Sequence, residues 1–351
     1  MPSQADNKLL REIKQLQSDM ASLQSAGRLS RLHDEVEDLT TTINGLGQQL
    51  RDLRSRGYPF ERALESKAEA WAQQWVAQRE ELTARIDREA LALQGELRSV
   101  ESLVRQAVNG GPDEAAVRPL LRRAQTAVET LESKAGAVQD NIRGMFDGLK
   151  RQIDELVRHL RQVEWTLGQL GEATFRLLPS EAGVMAVKAR WVKGSKDDPR
   201  GVLFLTDQRL LFEQKEELAT KKVLFVTTQK QKVQELLLDV PVGQIQKVLA
   251  SSRGLLGHED HIELDLTAEA PVPKVHFHLD GQDSKRWQAL IGRVQSGDLD
   301  VDRAVPVDQE AVQKARQAPT RCPNCNAPLT QTVLRGMDTI QCEYCGHTIR
   351  L

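Results

Sequence analysis

Aromatic residues are scarce: Trp, Tyr and Phe make up 4% of the chain, while Asp, Glu, Lys and Arg make up 28%. That shortage excludes one large globular core and suits long helices packed along a narrow seam of Leu, Val and Ala. An excess of one charge is lacking as well. The formal net charge is -2, which argues against a surface built throughout for nucleic acid. No apolar run approaches the roughly 18–20 residues that span a bilayer. The opening MPSQADNKLL has no basic stretch followed by an apolar one, so no signal peptide is expected. Cysteine is absent until position 322, and the four cysteines then form two Cys-x-x-Cys pairs. That usage points to metal, to a reducing compartment and hence to the cytoplasm. The length of 351 residues leaves room for two or three domains.

What is abundant is heptad pattern. Leu29, Leu32, Val36, Leu39, Ile43, Leu46, Leu50 and Leu53 alternate three- and four-residue spacings, and only a 3.5-residue repeat keeps one apolar stripe facing a partner helix. Leu9, Ile13, Leu16, Met20 and Leu23 precede them in a register shifted by about two residues across Ser25-Ala26-Gly27. Neither Pro nor a polar turn cluster accompanies that shift, so a discontinuity within one helix is expected. Gly57-Tyr58-Pro59 ends the helix, because Gly caps it and Pro cannot continue it. A second helix is expected over about 60–108, closed by Asn109-Gly110-Gly111-Pro112-Asp113, and a third runs from near Pro119 to Leu170. Each would be roughly 70–80 Å long at 1.5 Å per residue. Near-equal helices with short turns predict a three-helix, antiparallel coiled-coil rod over residues 1–171, with a leftover seam for self-association. Trp71 and Trp75, one turn apart, share a face and are expected to pack between helices; an exposed docking site is the other reading.

From about residue 172 the pattern becomes short alternating runs. Met185, Val187, Ala189 and Trp191 mark one side of a strand over 183–192. Further strands are expected at 201–205, 209–212, 223–227, 233–238, 245–249, 262–266 and 275–279. Trp287, Leu290, Ile291 and Val294 then share one face of a closing helix. The runs Leu178-Pro179-Ser180-Glu181 and Gly201-Val202-Leu203-Phe204-Leu205-Thr206-Asp207-Gln208-Arg209-Leu210-Leu211-Phe212, with the helix carrying Trp287, resemble the GRAM/PH-like family over residues 172–296. The resemblance implies a β-barrel with a C-terminal helix, serving as a non-catalytic module for lipid headgroups or protein segments.

Lys188, Arg190, Lys193, Lys196 and Arg200, and a second group of Lys221, Lys222, Lys230 and Lys232, are the candidate contacts for an anionic ligand. Asp197 and Asp198 interrupt the first group, and solvated edge lysines that discourage strand pairing are the favoured reading. His258, His261, His276 and His278 also gather here, the last two on one strand face. Without cysteine or closely spaced carboxylate partners they read as surface or packed side chains. No Ser-His-Asp arrangement, phosphate loop or paired-carboxylate signature supports an enzyme.

Residues 297–320 read as a linker with a short helix over Gln309–Gln317. Then come Cys322-Pro323-Asn324-Cys325, sixteen residues, and Cys342-Glu343-Tyr344-Cys345-Gly346. Two such knuckles joined by a β-hairpin would present four thiolates to one ion, a closed set that makes zinc structural. Asn326 and Gly346 suit backbone positions with positive φ. Residues 321–351 are similar to zinc ribbons, which contact proteins and nucleic acids alike. Few basic residues (Arg321, Arg335, Arg350) tilt this one toward protein.

Together these features predict a cytoplasmic, non-enzymatic scaffold or adaptor with protein partners, self-associating through its helices. The alternative is a peripheral membrane-binding or membrane-shaping protein on anionic lipid at the inner membrane surface. Nucleic-acid binding through the ribbon ranks third.

Overall fold

The computed structural model describes residues 4–110, 114–194, 198–223, 226–254 and 259–351, excepting the side chains of 4–7 and 217–231. The chain divides into two compact units, Met1–Gly47 with Ser66–Val157, and Gln48–Glu65 with Arg158–Leu351. Helices α1 (Gln4–Ala26), α2 (Ser30–Ser55), α3 (Leu64–Val108) and α4 (Glu114–Glu172) fill the first half of the sequence.

In the first unit the heptad positions are the core. Leu32, Val36, Leu39 and Ile43 of α2, Leu82, Ile86 and Leu93 of α3, and Val128, Leu131 and Ile142 of α4 all belong to one continuous buried core. Polar contacts fix the directions. Gln24 bonds Glu101 and Arg79 bonds Glu37, so numbers rise on one helix as they fall on the other. Arg85 with Asn141 and Lys134 with Glu96 give the same antiparallel sense to α3 and α4. Trp75 is buried at 2% exposure, donates from Nε1 to Thr40 Oγ1 at 2.9 Å, and meets Phe146 edge-on. Trp71 is partly buried against the same core, so both tryptophans pack between helices. Trp75→Ala is expected to cost about 3–5 kcal/mol, and Trp75→Phe clearly less, in urea unfolding followed by helical circular dichroism.

The first expected helix is two. After Ala26 the Leu29 N–H bonds Ala26 O at 3.2 Å, and Leu29 itself takes a φ of 52° before α2 starts. A left-handed Leu costs roughly 1–2 kcal/mol, which its burial at 2% exposure offsets. The two-residue register slip is therefore absorbed by a break, with Leu29 as its apolar anchor.

The second unit carries seven antiparallel strands: β1 (Gly183–Trp191), β2 (Arg200–Thr206), β3 (Arg209–Val223), β4 (Val226–Pro241), β5 (Ile245–Arg253), β6 (Glu259–Leu266) and β7 (Lys274–Leu279). Their order is β4-β3-β2-β1-β7-β6-β5, two meanders joined where β1 pairs with β7. The expected separate strand at 223–227 instead straddles the β3–β4 connection, with Val223 and Val226 as register partners. Trp191, Phe212 and Phe277 stack in the core, with centroids 5.0–5.9 Å apart.

Val202 to Leu205 are all buried because both faces of β2 are covered: Val202 and Phe204 pack with Trp165, Leu170 and Phe175 at the end of α4 and just beyond it. Helix α4 also enters the hydrogen bonding, since Thr166 Oγ1 accepts from Ala186 N and Gln162 donates to Ala186 O. Gly201 is required by close approach, as a Cβ there would lie 1.9 Å from Glu213 O.

The sheet does not close into the expected barrel. Strands β4 and β5 end the order, and helix α5 (Ser284–Ser296) covers β5 instead. Gln288 donates to Val248 O and Gln295 to Ile245 O, both at 2.7 Å, while Trp287 and Ile291 are fully buried. Asp283 caps the start of α5 by accepting from Lys285 N, and Gly297 ends it at φ 78°. Short helices α6 (Asp298–Val301) and α7 (Gln309–Gln317) follow, the latter at the expected residues. Strands β8 (Thr339–Gln341) and β9 (Thr348–Arg350) form the terminal hairpin.

Candidate metal centre and interaction surface

The two Cys-x-x-Cys segments fold into matching turns. Asn326 N bonds Cys322 O and Gly346 N bonds Cys342 O, each at 2.8 Å. Cys322 N bonds Ala327 O and Cys342 N bonds His347 O, each at 2.9 Å. Both turns need a left-handed residue, supplied by Asn326 at φ 59° and Gly346 at φ 71°. The β8–β9 hairpin brings the turns together, so all four sulfurs lie within 4.8 Å of one another.

Cys322 and Cys345 Sγ are 3.7 Å apart and Cys325 and Cys342 Sγ 3.6 Å, far from the roughly 2.05 Å of a disulfide. Those separations approach the roughly 3.8 Å edge of a tetrahedron with metal–sulfur bonds of about 2.3 Å. Four thiolates so close oppose one another. The His347 N–H and the Asn324 amide lower the Cys345 thiol to about 6. At Cys325 the Ala327 N–H also favours the thiolate, but hydrogen bonds with Cys345 and the other cysteines push the pKa up to about 12. A bound cation resolves that conflict. The four cysteines could hold a metal, and an all-thiolate tetrahedral set suits zinc or an iron–sulfur centre.

Of the predicted anionic-ligand contacts, Lys188 and Arg190 alternate along β1 and Arg190 is the register partner of Arg200 on β2. Lys188 and Arg200 are exposed and Arg190, opposite Arg200 across β1–β2, is half-buried. Lys193 Nζ lies 3.9 Å over the Trp191 ring, and its backbone N–H is held by Asp198. Lys196 and His258 lie outside the described residues, and Lys221, Lys222 and Lys230 are described only as backbone positions in β3 and β4. Lys232 is exposed.

The segments that carried the family resemblance instead hold one another. Glu181 is fully buried and accepts from Leu178 N (2.7 Å), Thr206 Oγ1 (2.5 Å) and Arg209 Nε (3.0 Å) and Nη2 (2.7 Å). Arg209 also donates to Asp239 Oδ2 and Arg176 O. Asp207 accepts from Ala182 N at 2.8 Å and from Arg303, which follows α6. Arg335, inside the ribbon, donates its guanidinium to Glu181 O and its N–H to Leu177 O. Ala304 N bonds Pro59 O, and Phe60 forms a bridge with Arg303. One buried network therefore ties the strand, the segment after α5, the ribbon and the turn between α2 and α3. In the sequence, Glu181 and Thr206-Asp207-Gln208-Arg209 read only as part of the family resemblance until the partners are seen.

Burial raises the Asp207 carboxyl from 3.8 to about 6, with the Ala182 N–H and Arg303 pulling it back. Because folding raises this pKa, the contribution to stability is full below about pH 4 and is lost as pH rises through about 6. The whole span is worth about 3 kcal/mol, of which about 1 kcal/mol falls between pH 5 and 7.5. Asp207→Asn keeps an acceptor for Ala182 N and does not titrate. Its urea midpoint should therefore gain on wild type by about that amount across this pH range, and parallel profiles would refute the assignment.

No family model and no curated protein matches the chain. Among solved structures, the Vps36 N-terminal PH domain is 18% identical, covering 35% of this chain and 85% of its own at a TM-score of 0.24. A DUF1696 family protein with a pleckstrin-homology domain from Shewanella loihica PV-4 is 14% identical over 36% and 87%, TM-score 0.21. The DH/PH fragment of PDZRhoGEF, from its complex with human RhoA, is 14% identical over 84% and 95%, TM-score 0.24. At such scores these likenesses carry no argument about activity or partners, and the strand order and the buried network stand as the description of this module.

Proposed function

We propose that this chain is a non-enzymatic scaffold or adaptor whose sheet–helix module and zinc-loaded ribbon form one recognition surface for protein partners. The observation that carries this reading is the buried network of Glu181, Asp207 and Arg209. It holds Arg303 and Arg335, so the sheet module and the ribbon are fastened together and not strung on a free tether. Fixed relative placement lets two weak contacts act on one partner without an ordering penalty at binding. The PH/GRAM-like reading of the module is supported by two antiparallel meanders joined through β1 and β7 and covered by a C-terminal helix. Zinc is the preferred ion because four thiolates form a closed set with no position left for substrate. The antiparallel helices would supply self-association through whatever apolar seam they leave. Among the described residues no helix is long and apolar enough to cross a membrane, and the cytoplasm remains the proposed location.

The test is capture of partners by the immobilised full chain, compared with a variant whose exposed sheet residues Lys188 and Arg200 are changed to Glu. A discrete protein that binds wild type stoichiometrically and is weakened by the variant, or by loss of zinc, supports the scaffold reading. Absence of any stoichiometric protein partner, or turnover of a small-molecule substrate by the purified chain, overturns it.

A further inference from the structure

Strands β6 and β7 bring together a second set of metal-ligand side chains. His261 and His278 are directly opposite in register, and His276 is opposite Glu263. Strand alternation sends Ile262 and Leu264 into the core, and Val275, Phe277 and Leu279 with them, so His261, His276 and His278 share the other face. The ring centroids of His276 and His278 lie 5.0 and 4.9 Å from that of His261. Glu259 projects from the same face two residues before His261. One donor atom each from Glu259, His261 and His278 lies within 4.8 Å of the other two.

The hydrogen bonds sort the ring nitrogens into two kinds. His261 Nδ1 is 2.9 Å from His276 Nε2, and His261 Nε2 faces Glu259 Oε2 at 3.4 Å. His278 Nδ1 is 3.3 Å from Asp280 Oδ1. His276 therefore steadies one nitrogen of His261, and Asp280 one nitrogen of His278. The Nε2 of His261 faces the glutamate, and His278 brings a donor atom to the same group. A metal-bound imidazole needs this arrangement: one nitrogen on the ion, the other held by a fixed partner that sets tautomer and ring angle.

Two of the neighbouring cations are balanced, while Arg190, the register partner of His278 across β1–β7, keeps a buried Nε without a hydrogen-bond partner. Arg253 pairs with Glu263, and Lys274 with Glu263 at 3.0 Å and Asp265 at 3.7 Å. His261 is only 5% exposed, with Glu259 and His276 as its polar partners.

We propose that Glu259, His261 and His278 form a second site, for a divalent transition ion of zinc type, with His276 and Asp280 holding the two imidazoles. Two imidazoles and a carboxylate suit Zn²⁺, Co²⁺ or Ni²⁺ and leave one position for water or a ligand from a partner. The site is chemically distinct from the cysteine centre, since it has no sulfur. Its donors, within 4.8 Å of one another, would close toward the roughly 3.3 Å separations of a tetrahedral nitrogen–oxygen site on binding the ion.

The test uses the full chain titrated with Co²⁺ after removal of metal. The first equivalent should give the intense near-ultraviolet thiolate-to-cobalt band of the cysteine centre. A second should add visible d–d absorption without further thiolate band. His278→Ala and Glu259→Gln each alter a side chain that is not buried. Each should weaken the second equivalent about tenfold or more while leaving the first, and the far-ultraviolet circular dichroism, unchanged. Cys322→Ser should remove the thiolate band and keep the second site. Binding of one equivalent only, or a second equivalent of unchanged affinity in both site variants, would overturn the proposal.

Discussion

Cys322→Ser is expected to strip tightly bound zinc from the chain, from about one equivalent to near none at the thiolate centre, and to unfold the terminal hairpin. The apparent binding energy of a structural zinc is about 10–16 kcal/mol near neutral pH, far more than so small a hairpin can supply otherwise. Its buried apolar side chains are few: Val333, Ile340 and Ile349 with the two buried cysteines, and Ala327 and Leu329 partly covered. Strands β8 and β9 contribute only three residues each. A chelator should act as the mutation does and be reversed by added zinc. The readouts are metal content by mass spectrometry and protease cleavage within 321–351. The rest of the second unit should keep its fold, because its core of Trp191, Phe212, Phe277 and Trp287 lies in the sheet and α5. Purified protein that lacks tightly bound metal yet resists proteolysis in the hairpin would refute the structural role.

Arg209→Leu should destabilise the second unit by about 3–5 kcal/mol. Glu181 is fully buried and loses two of its four donors in that variant, Nε and Nη2 of Arg209, leaving a carboxylate in a low-dielectric site. The double variant Glu181→Gln with Arg209→Met should recover part of the loss. The amide oxygen can still accept from Thr206 Oγ1 or Leu178 N, and no charge remains to be desolvated. Since Arg335 donates to Glu181 O, the single variant should also loosen the ribbon's hold and speed hydrogen exchange at Arg335 N. Denaturant unfolding of the three proteins settles the energetic part. Equal midpoints would mean that the buried pair is not the fastening it is taken to be.

Much of this architecture is legible in the residues, for physical reasons. Heptad spacing identifies the helical first half because packing one apolar stripe along a helix leaves a periodic trace. Gly57-Tyr58-Pro59 marks its turn because Gly57 can take the left-handed cap, at φ 94°, and Pro cannot continue a helix. The cysteine pairs are legible because metal chemistry demands ligands at fixed spacing, and the structure gathers Cys322, Cys325, Cys342 and Cys345 as that spacing implies.

The failures share a cause, which is that tertiary partners override local pattern. Nothing near Gly27 signals a turn, yet burial of Leu29 holds a left-handed backbone there. The run Val202–Leu205 hides its face preference because the end of α4 covers the side that alternation would expose. The open sheet was unreadable because closure depends on whether β5 meets β4 or α5, and glutamine bonds from α5 decide it. Among the site residues, the basic positions look alike in sequence. Only their surroundings separate exposed Lys188 from half-buried Arg190. For the histidines, Glu259 and Asp280 lie two residues from His261 and His278, and the pairing of β6 with β7 is what sets those two histidines opposite one another.

Protein recognition, as opposed to lipid recognition, is tested most directly by co-sedimentation of the zinc-loaded full chain with anionic and neutral vesicles at low and physiological salt. Among the described basic side chains, Lys193 rests on Trp191, Arg190 is half-buried opposite Arg200 and Lys188 stands exposed. The expected result is equal, background-level sedimentation with both vesicle types at physiological salt. Selective binding to anionic vesicles that falls with salt and is lost in Lys188→Glu with Arg200→Glu would contradict it and make the membrane the partner of this surface.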